Sequence, residues 1–399
     1  MIEIPDVSDP DAFENGFPHE VFRELRREAP VYWHEGDYEG GPGYWIISRY
    51  RTIKTISRQP MLFSSASGIS IEDRGDSFVS MIGMDPPDHR RYRALVSSGF
   101  TPRQIAAQEP HHREIVKSIL DDVIDRGHCD FVVDVASGLP LRVIAELLGV
   151  PQSACDDIFD WSNRMIGSQD PEYVVSLEEA ASAAQEMFVL ANGLAEDRQA
   201  NPRADLMSTI LHGEVDGSRL NTVEFDSFFL LLAVAGNETT RNLISHGLLL
   251  LLEHPEVLER LREDPSLVPA AIEEMLRFKS VVHYMRRTAA EDTELEGQRI
   301  RKGDKLVLYY PSANRDEAMF DRPDVFDIDR SNNHHLAFGV GEHFCIGTAL
   351  ARLETRVMFE GILERMHDLE LAGPVSYLRS NLIDGVKHIP LKFTAGGAA

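Results

Sequence analysis

The strongest pattern in the chain is a long apolar stretch with one polar break. FFLLLAVA (228–235) and LLLLL (248–252) flank AGNETT (235–240), in which Asn237, Glu238, Thr239 and Thr240 interrupt the apolar run. A helix that is apolar nearly all round is a buried one. Asn221 can cap its start, Glu224 stands three positions on, and Pro255 lies beyond its end, so the pattern predicts a helix from about Asn221 to Glu253. Helical spacing dominates from about residue 110 to 275; LRVIAELLGV (141–150) is apolar on one face and stops at Gly149 and Pro151. Near the C-terminal end, Ile346, Leu350, Leu353 and Val357 mark one face of another amphipathic helix. Strand signals lie on both sides of this helical region. GYWIISRY (43–50) reads as a strand able to pair with VYWH (31–34), and IRKGDKLVLYY (300–310) has a turn at Gly303-Asp304 before an apolar strand. The expectation is a mainly α fold with a minor β portion (α+β), forming one large domain over residues 1–399.

Composition narrows the function classes. Lys plus Arg number 40 against 65 Asp plus Glu, a net charge of −25, which argues against binding a nucleic-acid backbone. The longest apolar run is far short of the ~20 residues of a membrane-spanning helix. The N-terminal MIEIPDVSDP lacks the basic-then-apolar pattern of a signal peptide, so a soluble, cytoplasmic protein is expected. Cys129, Cys155 and Cys345 are odd in number and share no CxxC spacing, suggesting neither a disulfide framework nor a zinc site.

Cys345 stands apart from the other two. It lies in FGVGEHFCIG (338–347), where Gly339, Gly341 and Gly347 permit positive φ and close backbone approach. It also sits ahead of a predicted helix, where unpaired N–H groups and the helix dipole favour a thiolate. Such a sulfur can be a nucleophile or a metal ligand. The polar break in the long helix raises a second question, because a buried carboxylate needs partners; a water-filled groove beside a cofactor would satisfy it.

Phe338, Gly339, Gly341, His343, Cys345 and Gly347 fill the positions of a motif that resembles the haem-binding signature of the cytochrome P450 family of haem-thiolate monooxygenases. Three further segments follow the family's order: DPPDHRRYR (85–93), AGNETT (235–240) and EEMLR (273–277). The resemblance implies haem b held between the long helix and the cysteine-loop helix, with Cys345 as the axial iron ligand and Ala235, Gly236, Phe338, Gly339 and Gly347 against the cofactor. Thiolate ligation favours O–O cleavage. It makes Glu238 the acid and Thr239 the alcohol that deliver protons, with a local bulge at Gly236 and no role for Asn237. His89, Arg93, Arg287 and His335 become partners of the haem propionates, with Arg286 competing for the place of Arg287. Glu274 and Arg277 become a buried structural pair. The sequence departs from the family pattern at Val325, where an Arg is often present; Arg330 is a candidate substitute.

The resemblance places Val234, Ala235, His283, Leu382 and Ile383 at the substrate, a hydrophobic small molecule; plain core packing explains each of them as well. AGNETTR and LRSNLIDGVKHIPLKF look most like the bacterial branch that oxidises steroids, terpenoids and branched lipids. Electrons for O2 would come from a separate ferredoxin, since 399 residues leave no room for a reductase domain; Arg90, Arg352 and Arg356 form a candidate docking spot, and a solvated helix face explains the last two equally. Three alternatives stay open: a peroxide-driven peroxygenase, a haem-binding sensor or carrier without turnover, and a cofactor-free cysteine hydrolase.

Overall fold

A computed structural model describes residues 4–396, apart from 15, 39–40, 74–79, 175 and 216. Helix outweighs strand, 53% to 15%, so the α+β expectation holds. The chain divides into two compact units, each assembled from three separated stretches.

The first unit comprises Met1–Arg93, Leu276–Cys345 and Arg379–Asp384. Its centre is a five-stranded sheet. Val31–Tyr38 pairs antiparallel with Gly41–Ile47, which pairs in parallel with Lys305–Tyr309; Tyr284–Ala289 follows antiparallel, and Phe63–Ser64 forms the edge. Every residue of Lys305–Tyr309 is buried, as a strand covered on both faces requires. The pairing expected between the two N-terminal strands is present, with Trp33 opposite Trp45 and their rings 5.3 Å apart, edge to face. Leu306 and Leu308 face one apolar cluster with Ile47, Ile53 and Phe63, and Val307 and Tyr309 face a second with Phe13, Phe22 and Ile46. This is the two-residue alternation of a strand turned into two cores.

The second unit comprises Ala94–Met275, Ile346–Leu378 and Gly385–Ala399. Its axis is the helix Thr222–Glu253, 32 residues long. The start predicted from Asn221 is a full capping box: the Asn221 side chain accepts from the Glu224 N–H, and the Glu224 carboxylate accepts from the Asn221 N–H. Around it pack Gly138–Leu148, Leu177–Ala200 and Thr348–Arg365. The helix runs without a break through Gly236, where the family resemblance had implied a bulge. Gly236 instead has a packing reason: a Cβ there would lie 2.9 Å from Ile144 Cδ1 of the neighbouring helix, so a larger residue would require the Ile144 side chain to shift.

Candidate functional site

In the first unit, the Cys345 loop is shaped by two left-handed glycines, Gly339 at φ +68° and Gly341 at φ +83°. A Cβ on Gly341 would stand 2.3 Å from the carbonyl oxygen of Ser57, so both conformation and space demand glycine there. Gly347 differs from expectation: its φ is −80° and it serves as the N-cap of Thr348–Arg365. The loop closes through the Cys345 N–H, which donates to the Phe338 carbonyl at 3.0 Å, and the Phe344 N–H, which donates to Gly341 O at 3.1 Å. Cys345 is exposed, whereas Cys129 and Cys155 are buried. Burial pushes the Cys129 thiol up to about 12, which fits its reading as a plain core residue.

The candidate propionate partners are spread over three segments of this same unit. Arg286 and Arg287 are adjacent on Tyr284–Ala289 and point to opposite faces. Arg286 is committed to the loop at 67–73, donating to the carbonyls of Ser67 and Ser70 and pairing with Asp73. Arg287 is 5% exposed and makes no ion pair among the described residues; its one hydrogen bond goes to the Arg286 carbonyl at 2.7 Å. Burial lowers its pKa, opposed from a distance by Tyr310 and Asp85.

Arg93 is half-buried and donates to the Phe344 carbonyl at 2.7 Å. Burial lowers its pKa, and the thiolate form of Cys345 raises it. His89 is buried, with Nδ1 3.4 Å from Glu342 Oε1 and its ring 4.2 Å from that of His343. His335 accepts from the Ala337 N–H at 3.2 Å, and its ring is 5.9 Å from that of Phe338. His343, singled out by the motif without a role, is pushed down to about 3 by burial, aided by Arg287, and its Nε2 is 3.2 Å from Ser65 Oγ. It is therefore a neutral imidazole.

In the second unit, Glu238 is 1% exposed and lies in a polar network. Its Oε1 accepts from Arg241 Nη2 and from Asn242 Nδ2, the latter at 3.0 Å; Oε2 has no hydrogen-bond partner among the described residues. Arg241 Nη1 donates to Asn163 Oδ1 at 2.8 Å, and its guanidinium lies over the Phe159 ring at 5.1 Å. Thr239 Oγ1 donates to the Ala235 carbonyl at 2.8 Å. Ala235 is exposed although most of this helix is buried, while Val234 beside it is buried.

One acid was missed in the sequence. Glu354 is fully buried on Thr348–Arg365; burial raises its pKa well above the carboxylate range, partly opposed by a hydrogen bond with Thr240. Its neighbours Arg352 and Arg356 made the segment look solvated.

The remaining expected residues fall out as follows. Glu274 and Arg277 are both fully buried on Val268–Phe278. Arg277 donates to the carbonyls of Asn314, Pro323 and Val325, and Arg330 donates to that same Val325 carbonyl at 2.9 Å. His283 is a core residue, 1% exposed and stacked on Phe13 at 4.6 Å, which removes it from the substrate-contact set. Leu382 packs partly buried beside the same cluster, and Ile383 bridges to Val282. Arg90, Arg352 and Arg356 are each paired already, with Glu342, Glu273 and Glu109 respectively. The expected basic spot is thus an array of ion pairs.

An uncompensated buried guanidinium at Arg287 calls for an anion, because burying a charge unpaired is costly. The Cys345 sulfur suits a soft metal ion. Haem provides both through its propionates and its iron, so the residues present fit a haem-thiolate protein. Residues 141–371 match the family profile Cytochrome P450. The chain is similar to the steroid C26-monooxygenase of Rhodococcus jostii, 39% identical over 98% of this chain and 85% of that one. It is also similar to the linalool 8-monooxygenase of Pseudomonas putida, 37% identical over 97% and 98%. The solved structure of a Mycobacterium marinum cytochrome P450 in complex with pseudoionone superimposes with a TM-score of 0.93 at 35% identity, covering 98% of this chain and 99% of that one. The chain belongs to the cytochrome P450 family. It is a haem-thiolate monooxygenase, and its cofactor is haem b held by a cysteine thiolate.

Proposed function

We propose that this enzyme hydroxylates a steroid, a terpenoid or a methyl-branched lipid, with electrons delivered by a ferredoxin in the cytoplasm, and that residues 1–399 act as one domain. Support for the substrate class comes from relatives named for steroids, linalool and methyl-branched lipids at 37–41% identity. The interleaving of the two units along the chain favours a single functional domain. Among the described residues no helix is long and apolar enough to cross a membrane.

When bound, haem supplies O2 activation and oxygen-atom insertion. In this reading the Cys345 sulfur would hold the haem iron. Arg287, Arg93, His89 and His335 hold the propionates, and neutral His343 supports them without adding charge. Phe338, Gly339 and Gly347 shape the thiolate side; Ala235 and Gly236 present a small surface to the cofactor. Val234, Ala235, Leu382 and Ile383 make apolar substrate contacts. Glu238 holds and releases a proton at Oε2, and the Thr239 hydroxyl passes it on. The arginines at 90, 352 and 356 reach a ferredoxin only by exchanging their present carboxylate partners. Uncompensated, buried Arg287 carries the haem assignment.

The test is a carbon monoxide difference spectrum of the reduced protein beside Cys345→Ser, followed by a screen of steroids, terpenoids and branched fatty acids for a high-spin Soret shift. A far-red Soret band lost in the variant, with shifts confined to one of these lipid classes, is the expected result. An unchanged band in Cys345→Ser rejects the axial role, and shifts only with small aromatics reject the substrate class.

A further inference from the structure

The carboxylate of Glu238 has two oxygens in different circumstances. Oε1 is held by Arg241 Nη2 and by Asn242 Nδ2, while Oε2 is buried and has no hydrogen-bond partner among the described residues. Asn242 is fixed in turn, since its Oδ1 accepts from the Val386 N–H at 2.8 Å. Arg241 is only 2% exposed. Nη1 reaches Asn163 near the end of Cys155–Ile166, Phe159 of the same helix covers the guanidinium, and Nε has no hydrogen-bond partner among the described residues. A guanidinium has its donors in a rigid plane, so fixing Nη1 on Asn163 and Nη2 on Glu238 fixes the whole group.

We propose that Arg241 is a positioning residue for proton handling by Glu238, aimed by Asn163. The inference rests on the reading of Glu238 as the proton-handling acid. Arg241 does two things. It gives Oε1 a charge-assisted donor inside the protein, which together with Asn242 fixes the orientation of the carboxylate. It also occupies Oε1, so that uptake and release of the proton occur at one atom, Oε2. The group that aims Arg241 comes from another helix, so displacement of Cys155–Ile166 would turn the guanidinium and with it the carboxylate. The Tyr173 hydroxyl feels both charges of this pair, and burial raises its pKa; it stays neutral and does not compete for Arg241.

The experiment compares wild type with Arg241→Gln, Arg241→Lys, Asn163→Ala and Glu238→Gln. Two readouts are taken: the infrared carboxyl band assigned to Glu238 by difference from Glu238→Gln, and the fraction of reducing equivalents released as hydrogen peroxide. In wild type the Glu238 band is narrow, as a carboxyl group held in one orientation gives. In Arg241→Gln it broadens and shifts, and product per reducing equivalent falls roughly tenfold, part of the ~10²-fold or more that positioned proton transfer supplies. Arg241→Lys restores the wild-type band, and Asn163→Ala lies between them. Should Arg241→Gln not fold, Arg241→Lys and Asn163→Ala carry the comparison, with a wild-type infrared and peroxide result in Asn163→Ala counting against the proposal. A Glu238 band and peroxide fraction unchanged in every Arg241 and Asn163 variant, while Glu238→Gln alters the peroxide fraction, overturns the inference and leaves the parent reading intact. A peroxide fraction unchanged in Glu238→Gln itself overturns the parent reading, and the inference falls with it.

Discussion

Arg286 and Arg287 are consecutive residues of one strand with opposite fates. Arg286 is tied to Ser67, Ser70 and Asp73, and Arg287 lies buried with no carboxylate partner among the described residues. Strand alternation alone separates them. The two alanine variants should therefore fail in different ways. Arg287→Ala should retain its fold and lose haem affinity by about 10- to 100-fold, the value of a charge-assisted pair of roughly 1.5–3 kcal/mol, measured as Soret absorbance per protein during haem transfer to an acceptor. Arg286→Ala should keep its haem affinity and lower the unfolding temperature.

Gly341 and Gly339 make a graded pair. Gly339→Ala meets nothing closer than 3.8 Å, so its cost is the left-handed backbone alone, roughly 1–2 kcal/mol. Gly341→Ala adds a collision with the Ser57 carbonyl at 2.3 Å. Soret absorbance and melting temperature should both fall further in Gly341→Ala than in Gly339→Ala; equal losses would show that the loop shifts freely.

The long helix depends on its start. Asn221→Ala removes the side-chain half of the capping box, leaving the backbone N–H that the Glu224 carboxylate accepts from, and should cost about 1 kcal/mol. A denaturant titration should show that loss with an unchanged slope, because the surface exposed on unfolding is the same.

Two histidines should tilt the pH dependence of stability in opposite directions. His112 is buried and held down to about 4, by burial first and then by the His111 charge. The unfolded chain binds a proton below about 6.5 and the folded one does not, so this group costs stability as pH falls from there. His388 is raised: burial opposes the charge, but Asp130 and Glu172 outweigh it. Its contribution is complete below about 6.5 and is lost as pH rises through the higher folded value. It is 40% exposed, so solvent screening keeps the effect small. Thermal melts from acid to neutral pH should flatten on the acid side in His112→Gln and on the neutral side in His388→Gln.

Local chemistry was legible in the sequence. The Asn221 cap, the Gly149 stop, the pairing of the two N-terminal strands, and the glycine-shaped Cys345 loop all follow from residues near one another in the chain, where dihedral preference and periodicity act directly. Departures appeared where a residue's role is set by something distant. His283 looked like a substrate contact and is a core residue against Phe13. Gly236 looked like a bulge and is a notch for Ile144. Glu354, flanked by two arginines, carried no mark in the sequence and is buried.

The sequence by itself determined that a cysteine sits on a turned loop ahead of a helix, and that a long apolar helix carries an acid and an alcohol in its middle. Only the tertiary structure decided which of two adjacent arginines is uncompensated, which oxygen of Glu238 is unpartnered, and that Arg90, Arg352 and Arg356 are paired with glutamates. The reason is physical. Periodicity records which face of an element avoids water, but the state of a charge depends on desolvation and on partners that the fold brings from elsewhere, such as Asn163 to Arg241 across 78 positions of chain.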